Sequence, residues 1–236
     1  MAAILLLAYV SLGTSGFGSA VVGIPLLAHI VPLKFAVPLV LLLDVIGMFI
    51  QGARVRRQVD RSELVRLMPF MAIGIILGTT LLASLPQRAL IAALGCLAAT
   101  YGLLNLAGHV PTRRLHAAWT PVAGVTGGTM GALFGTGGPV YVIFLSRRLA
   151  DMTTLRATIT AVLMVSVAVR AAIFTVSGLF RQDGLLPLAA MMLPVMLAGL
   201  AIGWRLHAKL PQIAVRRALY VLLILSGASL LVRAFA

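Results

Sequence analysis

Long apolar runs separated by short basic segments form the dominant pattern of this 236-residue chain. Six of the runs have about the 20 residues that an α-helix needs to cross a hydrocarbon core of about 30 Å. They predict spanning helices at 35–52, 64–84, 89–107, 157–177, 185–203 and 213–232. The pattern therefore predicts an all-α, polytopic membrane protein.

Two further apolar runs, 2–33 and 118–146, are interrupted by glycine clusters. The first run contains such a cluster at residues 13–19. The second contains one at 127–131 and another at 135–139, which ends in a proline. Glycine weakens a helix, and proline lacks the amide hydrogen that a helix interior uses. Each run is therefore expected to be broken, either as an interrupted single span or as a re-entrant hairpin of two half-helices.

Composition agrees with a membrane protein and excludes several other classes. Hydrophobic residues make up 61% of the chain and charged residues 10%, whereas a soluble domain has roughly 45–50% and about 25%. An ordinary soluble enzyme and a disordered chain are both excluded. The four histidines show no metal-ligand spacing, and we expect neither a metal nor another cofactor.

The excess of basic residues reports on topology. The chain has 19 Lys and Arg against five Asp and Glu, and most basic residues lie in short loops, which favours orientation in a membrane over nucleic-acid binding. If all eight runs cross, the loop charges divide nine and nine. If 118–146 enters and leaves on one side, they divide 14 and four. The second topology is favoured, and it places four basic loops in the cytoplasm: 54–66, 113–114, 147–156 and 205–217.

The same topology divides the chain into two halves, residues 1–110 and 111–236. Each half has one broken element followed by three spanning helices. Because three crossings are an odd number, the second half is predicted to be inverted relative to the first. Inverted repeats with interrupted helices are an architecture of secondary transporters, in which the binding site lies at the repeat interface near the midplane.

The two glycine-rich segments, 12–27 and 121–145, also carry a family resemblance. Each is rich in small residues and glycine and contains a proline, as at 18–27 and 133–141. The chain resembles the sulfite exporter TauE/SafE family of membrane permeases. The resemblance implies export or uptake of small sulfur oxyanions, such as sulfite and organosulfonates, or of related organic anions. In the first copy, Ser19-Ala20 stand where the family commonly has consecutive glycines.

The broken elements also supply the candidate binding groups. Main-chain groups freed inside a membrane must face protein or a water-filled cavity, and amides at a half-helix N-terminus attract anions. Hydroxyl side chains beside them can donate to anion oxygens. The alternative is that the glycines only permit close helix packing. The candidate substrate-binding residues of the two elements are Thr14, Ser15, Gly16, Gly18, Ser19, Thr129, Gly135, Thr136, Gly137 and Gly138.

Two charged residues lie within predicted spans. Arg170 is deep in 157–177, where an arginine costs about 2.5–3.5 kcal/mol on insertion scales. It is expected to face the protein interior and either bind an anionic substrate or act structurally. Asp44 lies midway along 35–52 and could pair with Arg170 or carry a proton during transport. When Lys34 is aligned with Arg156, the two charged residues fall within about one helical turn of equivalent depth, and we favour the pair.

These observations and the resemblance predict a secondary transporter for small anions in a bacterial inner membrane, with export favoured. No ATP-binding motif is visible, so an ion gradient or the membrane potential is expected to drive transport, and export of an anion is feasible without coupling. A passive anion channel is the first alternative. An intramembrane enzyme would need a positioned nucleophile and base, which the sequence does not show. The expected partners are the anionic substrate and the lipid bilayer; nucleic acid is not expected, and a homodimer is left open.

Overall fold

A computed structural model describes residues 1–15, 19–52, 58–106, 115–207 and 212–235. These residues form α-helices and one 3-10 turn, Ala117–Trp119, with no strand among them, which confirms the all-α prediction. The helices are α1 Ala2–Ser15, α2 Ser19–Leu27, α3 Leu33–Gly52, α4 Arg61–Ser84, α5 Gln87–Leu106, α6 Thr120–Phe134, α7 Gly137–Ser146, α8 Met152–Val176, α9 Leu185–His207 and α10 Gln212–Phe235.

Within the described part of the chain, five helices are long and apolar enough to cross a bilayer: α3, α4, α5, α8 and α9. The sixth predicted span corresponds to α10, a helix of 24 residues. The observed ends differ by a few residues from the predicted ones. For example, α8 begins earlier than predicted because Asp151 caps it by accepting a hydrogen bond from the Thr154 amide at 2.7 Å. This hydrogen bond lowers the pKa of the Asp151 carboxyl.

The second broken element is a hairpin of two half-helices. Helix α6 ends at Gly135, whose φ of 67° is left-handed, and α7 then runs back beside α6. A Cβ atom on Gly127 of α6 would lie only 2.5 Å from the Tyr141 ring of α7. The Leu115 amide donates to the Arg147 carbonyl at 3.4 Å, so the two ends of the element meet. The element is therefore re-entrant and not a single interrupted span.

The first broken element has the same local form. A Cβ on Gly23 of α2 would lie 3.1 Å from the Cβ of Ala8 in α1. Since 15 residues separate these two positions, the contact requires α2 to lie beside α1 and not in line with it. Both glycine-rich runs thus consist of paired half-helices of similar length, 14 and nine residues in the first and 15 and ten in the second.

The chain divides into two compact units that do not coincide with the predicted repeats. Each unit combines helices from both sequence halves, and α3 is divided between them. Unit 1 is Met1–Val40, Ser84–Pro111 and Asp183–Ala236, and unit 2 is Leu41–Ala83 and Thr112–Gln182. The division into two inverted repeats at residue 110 stays a prediction.

Within each unit, a long helix packs on the first half-helix of a broken element through a pair of glycines. In unit 1, Gly199 and Gly203 of α9 pack on α1, and a Cβ on Gly199 would lie 2.8 Å from the Leu6 carbonyl oxygen. In unit 2, Gly74 and Gly78 of α4 pack on α6. Small residues four apart allow such close approach of helix backbones. The predicted repeats place α4 and α9 at equivalent positions.

Described residues in or beside the predicted cytoplasmic loops meet in unit 2. Arg148 forms two hydrogen bonds with the carboxylate of Glu63, one of them from Nε to Oε2 at 2.8 Å. Its Nη1 also donates to the Leu115 carbonyl at 3.2 Å, and the Asp60 amide donates to Thr158 Oγ1 at 3.0 Å. The Glu63 carboxylate raises the pKa of Arg148. The structure thus joins residues of the segments at 58–66, 115 and 147–158, as the charge count predicts; residues 54–57 and 113–114 lie outside the described ranges.

Cysteine labelling tests this topology. In a Cys96→Ala background, needed because Cys96 is exposed, we expect Arg113→Cys and Met152→Cys to react with a membrane-impermeant maleimide from the same side. Arg181→Cys should react only from the opposite side, because α8 crosses the bilayer between residues 152 and 181. Labelling of residues 113 and 152 from opposite sides would contradict the re-entrant hairpin.

Candidate functional site

At the break between α6 and α7, two carbonyls near the end of α6 accept hydrogen bonds, whereas the start of α7 has no side-chain cap. At the end of α6, the Gly135 amide donates to the Gly131 carbonyl at 2.9 Å and the Thr136 amide to the Met130 carbonyl at 3.3 Å. Thr136, the N-cap of α7, makes no side-chain cap; its hydroxyl instead donates to the Met130 carbonyl at 3.4 Å. The first amides of α7 therefore keep the partial positive charge of a helix N-terminus without a side-chain acceptor.

The glycines around this break fall into two groups. Gly127, Gly128 and Gly137 are required by packing, because a Cβ on any of them would overlap neighbouring atoms, and Gly135 is required by its positive φ. Gly131 and Gly138 are not explained in this way. A Cβ on Gly131 would meet nothing nearer than 3.7 Å, and one on Gly138 would meet Leu163 at 3.5 Å, both ordinary contacts.

Arg170 of α8 lies beside Gly131. Its side chain is buried, with 6% of the residue exposed. Nη1 donates to the Gly131 carbonyl at 2.6 Å, and Nε donates to the Ser166 carbonyl of its own helix at 3.4 Å. A cation at the carbonyl end of α6 is favoured by the helix dipole. The arginine therefore contacts the last turn of α6 directly, where Gly131 and Gly135 carry no side chains.

Asp44 is near the same guanidinium. The residue is buried, with 4% exposed, and its carboxylate interacts electrostatically with Arg170. Both residues belong to unit 2. The structure thus brings together the two charged residues that the sequence placed at similar depth. A carboxylate beside a buried arginine offsets part of the cost of removing that charge from water.

Two further polar residues at this position were not among the predicted site residues. Tyr141 of α7 is fully buried and interacts electrostatically with Arg170. Its hydroxyl has no partner in hydrogen-bonding geometry among the described residues, although the Ser166 side chain is near it. The sequence points to Tyr141 only through a polar side chain three residues after Gly138 on an otherwise apolar half-helix. It points to Ser166 only through the alignment of Lys34 with Arg156, which places this serine opposite Asp44.

Other predicted site residues have different surroundings. The Thr129 hydroxyl donates to the Gly74 carbonyl at 3.1 Å, so it serves the packing of α6 on α4. In unit 1, Thr14 is buried and its hydroxyl donates to the Ser11 carbonyl of its own helix at 3.0 Å, and Ser19 is buried at the start of α2. The structure describes Ser15 only as the last residue of α1, and Gly16 and Gly18 lie outside the described residues.

No group of three or more His, Cys, Asp or Glu side chains able to hold a metal ion occurs among the residues that the structure describes. The polar groups described at the unit 2 site are main-chain amides, one guanidinium, one carboxylate and the hydroxyls of Thr136, Tyr141 and Ser166. Amides and a guanidinium are hydrogen-bond donors suited to oxyanions.

A helical membrane protein with broken half-helices and buried polar groups at the break has the features of a membrane transport protein. Comparison with known proteins agrees. The family model described as "Sulfite exporter TauE/SafE" matches residues 1–230, and the chain belongs to this family of membrane permeases.

A curated relative supports the same class. The chain is 32% identical over 194 residues to the "Probable inner membrane transporter protein TsaS" of Comamonas testosteroni, and the alignment covers 81% of each chain. No solved structure matches this chain significantly.

Substitution is expected to affect protein stability in one group of glycines and transport in the other. Gly128→Ala should destabilise the protein by about 1–3 kcal/mol through overpacking against α4. Gly131→Ala and Gly138→Ala should leave the unfolding temperature in detergent nearly unchanged and reduce anion transport, because each methyl would narrow the approach to the break. Thermal unfolding and liposome flux measure the two effects. Unchanged flux in both of the latter variants would remove these glycines from the site.

Proposed function

We propose that this protein is a secondary transporter for small anions and that the anion binds at the break between α6 and α7, beside Arg170. One observation carries the proposal: a buried guanidinium lies at a helix break whose first amides have no side-chain cap. Both groups are donors to oxyanions, and each is costly to keep in a membrane interior.

The charge balance of the site suits reversible binding. With the site empty, an ionised Asp44 would offset part of the charge of Arg170. An entering anion gains hydrogen bonds from the guanidinium and from the amides at the start of α7. It also experiences repulsion from the Asp44 carboxylate, which weakens the complex and permits release. A transporter needs such moderate affinity, since a tightly held anion would not leave.

The shape of the site suits a small oxyanion. Gly131 and Gly138 keep the main chain accessible where a side chain would fit without overlap. The buried Tyr141 hydroxyl offers a further donor at the same position. The oxygens of sulfite or of a sulfonate group could each accept from one of these donors. Thr14 and Ser19 belong to the other break, in unit 1, and their part in binding stays a prediction from the sequence.

The family description supports a proposal for the substrate and the direction. Its description names sulfite export, and we propose sulfite or an organosulfonate as the substrate and export as the direction. A monoanion that moves outward through a potential of about 100 mV, negative inside, gains about 2.3 kcal/mol. Export can therefore proceed without ATP.

We place the protein in a bacterial inner membrane, with the loops at 54–66, 113–114, 147–156 and 205–217 in the cytoplasm. The curated relative is named as an inner membrane transporter. The contact of Arg148 with Glu63 and Leu115 supports the shared side of three of these loops.

Flux into liposomes tests the proposal. The purified protein should move labelled sulfite or a sulfonate down an imposed gradient, and flux should saturate with concentration, as it would not in a passive channel. Carboxylates of similar size serve as the specificity control. Folded protein that moves no anion under any gradient would contradict the function.

Substitution of Arg170 tests the site. Loss of one charge-assisted contact, worth about 1.5–3 kcal/mol, predicts a ten- to hundredfold loss of apparent affinity in Arg170→Ala. Arg170→Lys keeps the charge but loses the planar arrangement of donors. Its apparent affinity should therefore lie between those of the unmodified protein and of Arg170→Ala. Arg181→Ala, an exposed arginine in the same unit, is the matched control. Equal effects at both positions, with both variants folded, would remove Arg170 from the site.

A further inference from the structure

A groove on unit 1 lies apart from the proposed transport site. It is an open, mostly apolar depression of about 470 Å³ between the end of α2 and the middle of α10. Its walls are formed by Leu26, His29, Val221, Leu222, Leu225 and Ser226. Leu225 is 66% exposed and Val221 45% exposed, so the groove opens on an apolar surface of a membrane helix. The neighbours of such a surface are lipid chains or another protein.

The groove contains one polar group without a partner. Ser226 is buried, with 7% exposed, and its hydroxyl has no hydrogen-bond partner among the described residues. A buried hydroxyl without a partner costs free energy. A ligand that is apolar along most of its length, but carries an acceptor such as an ester carbonyl, would satisfy this group.

One end of the groove is basic. Arg233 is held beside His29, because its Nη1 donates to the carbonyls of Ala28 and His29 at 2.9 and 3.0 Å. Arg88 is fixed nearby through a hydrogen bond from its Nε to the Ala234 carbonyl at 2.6 Å. Both arginines are exposed.

No ion pair joins Arg88 or Arg233 to an acidic side chain among the residues that the structure describes. The sequence of unit 1 contains one acidic residue, Asp183, which precedes α9. The basic end of the groove is therefore electrostatically suited to an anionic ligand.

The distance from the groove to Arg233 fits one lipid leaflet. Val221 in the groove wall is twelve positions before Arg233 in α10, which corresponds to about 18 Å along a helix. Half of a hydrocarbon core is about 15 Å thick. A phosphate at Arg233 would thus place an acyl chain along the apolar wall. Ser226 lies between Arg233 and Val221 along α10, at the depth of the ester carbonyls or the upper acyl chain of a glycerolipid.

We propose that this groove is a binding site for an anionic phospholipid, with the phosphate held by Arg233 and Arg88 and one acyl chain lying between α2 and α10. The combination of a basic end, an apolar wall and a buried hydroxyl favours a lipid over a second copy of the chain, whose matching surface would need an acidic group opposite the arginines. The site is independent of the proposed anion site in unit 2.

Lipid binding can be measured on the full chain by native mass spectrometry from mixed micelles of phosphatidylglycerol and phosphatidylcholine. We expect phosphatidylglycerol to be retained preferentially. Arg233→Gln and Arg88→Gln should each lower this preference about fivefold, the contribution of one basic residue near an anionic surface. Leu222→Trp, which fills the groove, should reduce retention of both lipids. Arg181→Gln and Leu197→Trp, at exposed positions elsewhere, are the matched controls and should have no effect.

Three outcomes would overturn the proposal. The first is equal retention of the two lipids by the unmodified protein. The second is an unchanged preference for phosphatidylglycerol in both arginine variants, when size-exclusion chromatography shows that at least one of them is folded. The third is a change from dimer to monomer in Leu222→Trp with lipid retention unchanged, which would make the groove an interface between two copies.

Discussion

The structure depends on one constraint, the need to satisfy main-chain polar groups where a helix breaks among apolar residues. At the α6–α7 break, the carbonyls at the end of α6 receive hydrogen bonds from the amides of Gly135 and Thr136 and from the guanidinium of Arg170. The amides at the start of α7 receive no side-chain cap. Two carbonyls near the end of α6 thus have partners within the protein, and we propose that the amides at the start of α7 are available to an anion. Main-chain amides of this kind attract anions, and Arg170 adds a charged donor beside them.

The same constraint explains the contacts that support the break. The hairpin is possible because Gly127, Gly128 and Gly137 allow backbones to approach closely, and Thr129 joins α6 to α4 through the Gly74 carbonyl. The position of Arg170 depends on α8, whose start is set by the Asp151 cap and tied to the preceding segments through the bond from the Asp60 amide to Thr158. Asp44 interacts electrostatically with the buried guanidinium. The supporting contacts and the proposed binding groups therefore all lie in unit 2.

Sequence reasoning predicted the helices and the position of the break, because apolar length and glycine density are local properties. It did not decide between a hairpin and an interrupted span from the residues of the break; the distribution of arginines among distant loops favoured the hairpin. The role of Thr129 could not be predicted, since its acceptor at Gly74 is 55 residues away in sequence. For the same reason the sequence did not separate Gly131 and Gly138 from the glycines that packing requires. Tyr141 was missed because a single tyrosine in an apolar run gives no indication of a neighbouring arginine.

The location of a bound anion is the most direct test of this account. Selenite is a close chemical analogue of sulfite, and its selenium can be located by anomalous diffraction from crystals of the full chain. The account predicts a selenium peak at the start of α7, with its oxygens within hydrogen-bonding distance of the Gly137 and Gly138 amides and of the Arg170 guanidinium. An ordered selenite elsewhere in the protein, with this break empty at saturating concentration, would contradict it.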